Sequence, residues 1–230
     1  MREAPPTVLI LGIGNLLWAD EGFGVRAVEE LHRHFSFPEN VRLLDGGTQG
    51  IYLVQHIRET DVLVVFDAVD YGLAPGTLKL VEGDEVPKFL GVKKVSLHQT
   101  GFQEVLAMAE MLGDYPRQLL LIGVQPVELD DYGGSLRPQV KAQIVPAMAA
   151  ALRFLECHGI RASARTIPLP EDATISTPET IMSHYEEGRP CAEDALRIGD
   201  ARLLADGRWR VPDDFEAEIS RILATVGEAC

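Results

Sequence analysis

Two acids and a histidine stand where three apolar, strand-like runs of this chain end: Glu21, Asp67 and His98. Thr7–Ile13 precedes the first. Val62–Phe66 runs directly into Asp67, and Val92–Leu97 runs directly into His98. In an open parallel α/β sheet the carboxyl ends of the strands line one crevice, where ligands bind. Residues far apart in sequence would therefore converge there. Two carboxylates and an imidazole form a donor set for a transition metal that leaves coordination positions open. A fourth acid, Asp45, follows Val41–Leu44 and opens the glycine-rich run Asp45-Gly46-Gly47-Thr48-Gln49-Gly50. It can serve as an acid near a reacting bond, or as a turn former.

The elements that would position these groups follow from periodicity. Strands are expected at Val8–Ile13, Val41–Leu44, Val62–Phe66, Thr77–Val81 (an edge strand), a run ending at Leu97, and Leu119–Val124. Helices are expected at Gly22–Phe35, Gly50–Arg58 and from Thr100 onward. A long helix capped by Ser135 is expected to run through Leu155, kinked at Pro146. Asp20 suits the N-cap of the first helix. Thr100 and Gln103 have the spacing of a capping box, which sets His98 between a strand and a helix start. Asp70 and Tyr71 read as loop residues. Continuous apolar strands alternating with helices imply an α/β fold of three layers. Its twisted, mostly parallel sheet has about five strands, plus an antiparallel edge strand, and is flanked by helices.

Composition narrows the function. The chain has 230 residues, 46% of them hydrophobic, enough for one domain with an appendage. Its 21 basic and 35 acidic residues give a net charge of −14, which argues against a nucleic-acid footprint. No apolar run is long enough for a membrane helix and no signal peptide is read, so a cytoplasmic protein without membrane insertion is expected. The three cysteines show no metal-site spacing. After Gly159 the composition changes. Residues 1–159 are expected to form the α/β domain and 160–230 a C-terminal extension, packed on that domain or on a partner. Within the extension a short helix near Pro178–Glu187, a hairpin over Leu196–Val211 and a terminal helix over Asp213–Val226 are expected.

The segment Gly12–Gly24 resembles a dinucleotide fingerprint, but Leu17 stands where the third glycine belongs. Two carboxylates at the following helix start would also repel a pyrophosphate. There is no G-x-S-x-G elbow for a serine nucleophile.

Taken together, Gly14-Asn15-Leu16-Leu17-Trp18-Ala19-Asp20-Glu21-Gly22-Phe23-Gly24, Asp45-Gly46-Gly47-Thr48, Asp67-Ala68-Val69-Asp70 and His98-Gln99-Thr100-Gly101 resemble, in order and context, the [NiFe]-hydrogenase maturation proteases. The likeness spans about residues 7–158 and is nearest the uptake-hydrogenase branch. It implies an aspartyl-type endopeptidase that removes a short C-terminal peptide from the precursor of the hydrogenase large subunit once nickel is inserted. It also implies that Glu21, Asp67 and His98 contact nickel carried by the substrate, that Asp45 lies near the scissile bond, and that the resting enzyme holds no metal. A monomer is expected. The alternatives are a non-catalytic assembly chaperone for a metalloprotein and a nucleotide-dependent α/β enzyme.

Overall fold

The computed structural model describes residues 5–87, 97–173, 175–177 and 180–188, with the backbone alone for 97–100. The chain divides into two compact units, Met1–Arg189 and Pro190–Cys230. All described residues belong to the first.

Its centre is a five-stranded sheet. The strands are β1 (Val8–Ile13), β3 (Val41–Gly47), β4 (Val62–Ala68), β5 (Leu78–Glu82) and β6 (Gln118–Val124), in the order β3-β1-β4-β6-β5. β3, β1, β4 and β6 pair in parallel, and β5 joins β6 antiparallel at the edge. The helices are α1 (Phe23–His34), α2 (Val54–Arg58), α3 (Leu97–Met111), α4 (Pro138–Lys141), α5 (Ile144–Cys157) and α6 (Met182–Glu187). A two-stranded ribbon joins β2 (Phe35–Ser36) to β7 (Ser163–Ala164).

The apolar strands are continuous because both sheet faces are covered. Val8, Ile10, Val62, Val64, Phe66, Leu120 and Ile122 pack with Phe23, Val28 and Leu31 of α1 and with Ala147, Ala151 and Leu155 of α5. The intervening Leu9, Leu11, Leu63, Val65, Leu119 and Leu121 pack with Ile57 of α2 and with Phe102, Val105 and Leu106 of α3. Strand alternation thus divides each run between two cores.

Several boundaries differ from the sequence expectation. α3 takes in Leu97 through Thr100, so Leu97 is helical and Thr100 lies inside the helix rather than capping it. Nothing in the propensities of Leu97-His98-Gln99 opposes helix. The remainder of the expected Val92–Leu97 strand lies outside the described residues, as do the hairpin and the terminal helix. The long helix after β6 is two helices, broken at Ala142-Gln143. Pro146 therefore sits in the first turn of α5, where its missing N–H costs no helical bond, instead of kinking an interior. Pro138 opens α4, and Ser135 caps neither helix; its hydroxyl donates to Glu186.

The described residues of 160–188 form an arm laid on α1. Arg165 donates an N–H to the carbonyl of Phe35, Arg33 donates to Leu169, and the buried Arg26, paired with Glu29, donates to Thr180 at 2.6 Å.

Candidate active site

Two glycines let the start of α1 pack directly on the sheet. A β-carbon on Gly24 would lie 2.2 Å from the carbonyl oxygens of both Ile13 and Phe66, and one on Gly12 would lie 2.4 Å from the Gly24 carbonyl. Only bare backbone lets the start of α1 seat itself between β1 and β4. The glycines of the Gly12–Gly24 run are consumed by this main-chain packing.

Glu21 lies in the single 3-10 turn Ala19–Gly22 that joins β1 to α1. This turn packs against β4. Gly14 (φ 133°) makes the approach possible, since a β-carbon there would fall 1.7 Å from the Glu21 carbonyl oxygen. Ala19 adopts φ 39°, an uncommon left-handed conformation for a residue with a side chain.

Asp20 does not cap α1. It is fully buried, and its carboxylate accepts backbone N–H groups from Val127 (2.8 Å), Glu128 (2.9 Å) and Arg137 (2.7 Å). It thereby organises the whole loop between β6 and α4. The same loop is fastened by the Trp18–Tyr132 edge-to-face contact (5.3 Å) and the Arg137–Asp131 ion pair (2.7 Å).

Asp67 is the penultimate residue of β4 and is only 1% exposed. By alternation it follows Leu63 and Val65 on the α3 face. Its partner across the ladder is Gly123. A β-carbon on Gly123 would collide with the Tyr71 hydroxyl at 2.6 Å, so this glycine makes room for the ring. Tyr71 is therefore a packed neighbour of the site rather than a loop residue only. Burial first, and then the Asp67 charge, push its phenol well above the usual tyrosine range. Its position is fixed by the buried Gln125, whose side-chain carbonyl accepts the N–H groups of Tyr71 (2.8 Å) and Leu73 (3.1 Å). Gln125 also donates to Asp70, which behaves as the expected loop residue.

Asp45 pairs with Gly12 in the β1–β3 ladder, just before a bulge at Gly46. It follows Val41 and Leu43 on the opposite face, that of α1 and α5. Ser176 of the arm donates its hydroxyl to Asp45 Oδ2 at 2.7 Å. Sequence reasoning found neither this contact nor the partners of Asp20, because they come from residues more than 100 positions away.

His98 falls in the first turn of α3, and its side chain lies outside the described atoms. Its helix packs on the turn Gly50–Leu53, which follows Asp45. Among the described residues no three His, Cys, Asp or Glu side chains gather as a metal site.

Around these groups the strand-end loops expose Leu17, Tyr52, Leu73, Val127 and Tyr132. Among the described residues no helix is long and apolar enough to cross a membrane.

Comparison with known proteins agrees with this architecture. The family model of the hydrogenase maturation proteases (HycI) matches residues 25–154. The hydrogenase expression/formation protein HupD of Thiocapsa roseopersicina is 65% identical over 202 residues, covering 88% of this chain and 91% of that protein. The hydrogenase 2 maturation protease of Escherichia coli is 40% identical over 159 residues, covering 69% of this chain and 96% of that protein. The solved hydrogenase maturating endopeptidase HybD from E. coli superposes with a TM-score of 0.66 at 38% identity, over 69% of this chain and 98% of its own. A buried strand-tip aspartate, an acid-bearing turn seated on its strand and this breadth of likeness place the chain in the hydrogenase maturation protease family, whose members are endopeptidases.

Proposed function

We propose that this protein cleaves a short C-terminal peptide from the nickel-loaded precursor of the [NiFe]-hydrogenase large subunit. Glu21, Asp67 and His98 would contact the nickel held by the substrate, and Asp45 would lie beside the scissile bond. The observation that carries this reading is the burial of Asp67 at the tip of a central strand, with the Glu21 turn packed on that same strand, in a chain of this family. Carboxylates at the carboxyl ends of parallel strands stand where ligands bind in such sheets, which supports a chemical role for Asp67.

Two carboxylates and an imidazole leave open positions on a metal, so nickel already bound by substrate side chains can be shared across the interface. Cleavage then depends on nickel being present. Water attack on the peptide carbonyl needs a base, and Asp67 or Asp45 supplies one. The exposed apolar rim suits a protein substrate, whose docking draws on such side chains. Gly12 and Gly24 are packed on backbone, which speaks against the dinucleotide alternative. The working protein is a cytoplasmic monomer in this reading.

Intact mass spectrometry tests it. Nickel-loaded precursor should lose a C-terminal peptide with the wild type. It should keep its mass with Glu21→Ala, and nickel-free precursor should be untouched. Complex formation without any mass loss would favour an assembly chaperone instead.

A further inference from the structure

We infer that Ser176, in the arm that follows the sheet domain, is a positioning residue for Asp45 in the cleavage reaction. The inference rests on the reading of Asp45 as the acid beside the scissile bond. Ser176 lies beyond residues 25–154, the span that matches the family model, so the arm adds it to the shared core.

The contact is short and well anchored. Ser176 Oγ lies 2.7 Å from Asp45 Oδ2, a distance typical of a hydroxyl donating to a carboxylate. On one side of Ser176, Ile175 packs against the core formed by α1 and α5. On the other, Thr177 and Thr180 close a turn through the Thr180 N–H and the Thr177 carbonyl (3.0 Å). That turn is held by the Arg26 guanidinium on the Thr180 carbonyl at 2.6 Å, and Arg26 is 2% exposed and paired with Glu29. The neighbouring Ile181 is buried. The hydroxyl is thus delivered from a segment fixed to the domain at both ends.

The geometry divides the two oxygens of Asp45. Oδ2 takes the serine hydroxyl. Oδ1 lies on the Gly47 side, 3.5 Å from where a β-carbon of that residue would stand. A carboxylate at a strand end, free to rotate about its side-chain torsions, would lose rotamer freedom at the reacting bond. Ser176 removes that freedom beforehand by holding Oδ2, so the carboxylate is set in one orientation before substrate arrives. Preorganisation of this kind acts on the chemical step more than on binding.

The test measures kcat and KM for cleavage of nickel-loaded precursor by the full chain, with melting temperatures for every variant. Ser176→Thr keeps the hydroxyl and Ser176→Val removes it at the same volume. The expectation is a fall in kcat of about 10-fold for Ser176→Val, the scale of one lost hydrogen bond to a charged group, with KM within about twofold. Ser176→Thr should retain most of the wild-type kcat. Adding Ser176→Val to Asp45→Asn should slow the reaction no further. Wild-type or faster kcat in Ser176→Val, or equal loss in the Thr and Val variants, with Asp45→Asn impaired, overturns the role of Ser176 and leaves the Asp45 reading standing. Full activity in Asp45→Asn overturns both.

Discussion

Gly101 and Gly50 meet backbone to backbone: a β-carbon on Gly101 would lie 3.5 Å from the Gly50 Cα. The contact joins two motifs, since Gly50 closes the run that begins at Asp45 and Gly101 closes the run that begins at His98. It fixes the first turn of α3 against the turn after β3. Because 3.5 Å is an ordinary van der Waals separation, Gly101→Ala should be accommodated. It should stabilise the helix by about 0.5–1 kcal/mol, with cleavage retained. Gly101→Leu should force the two turns apart, lowering both stability and cleavage rate. Urea unfolding and the mass-spectrometric assay check the pair.

Substituting the proposed nickel contacts separates chemistry from folding. Glu21→Gln, Asp67→Asn and His98→Ala should each lower cleavage by at least about 100-fold, while circular dichroism and melting stay close to wild type. Asp67→Asn preserves shape at a position 1% exposed, so a wild-type rate in that variant would remove Asp67 from the reaction.

Asp20 has a different role, and its loss should read out as stability. Its carboxylate accepts three amide groups, from Val127, Glu128 and Arg137. Asp20→Ala leaves those donors without their acceptor. The expected cost is about 3 kcal/mol or more, with faster limited proteolysis between residues 126 and 136. Asp130→Ala, in the same loop and away from Asp20, is the control.

The seat of α1 tolerates no added atom. A β-carbon on Gly24 would meet two backbone carbonyl oxygens at 2.2 Å, and backbone at the centre of a sheet cannot yield as a flexible side chain does. Gly24→Ala should cost more than about 3 kcal/mol or prevent folding, seen as a loss of soluble protein or of a cooperative transition.

Glu186 supplies a pH test. Burial alone would raise its pKa. The hydrogen bonds from Lys141 and Ser135 and the charges of Lys141 and Arg26 outweigh that effect, and the pKa falls below its ordinary 4.5. A carboxylate depressed in the folded state stabilises above its unfolded pKa, and that stability is lost as pH falls through the folded value. Because the Lys141–Glu186 pair is part-exposed, the effect is small, under about 1 kcal/mol. The melting difference between wild type and Glu186→Gln should be constant above about pH 5.5 and should shrink below about pH 4. A constant difference down to pH 3 would contradict the pairing.

How far the sequence reaches can be judged residue by residue. Continuous apolar runs such as Val62–Phe66 mark strands buried on both faces, because alternate residues enter two cores, a rule written in nearest neighbours. The parallel α/β architecture, the antiparallel edge at β5 and the placement of Asp67 at a strand end follow from such local patterns. The order of the four motifs likewise identifies the family from sequence alone. Helix boundaries are less local. α3 begins at Leu97, and the helical stretch after β6 breaks before Ile144, so capping patterns at Thr100 and Ser135 misled. Asp20 shows the limit most clearly. Its sequence context is that of a helix cap, yet it is buried against amides more than 100 residues away. Ser176 and Asp45, 131 positions apart, meet only because Arg26 and Ile175 hold the arm against α1 and α5. Local periodicity and motif chemistry are properties of the chain itself. The partner that a carboxylate receives is set by long-range packing, and only the tertiary structure decides it.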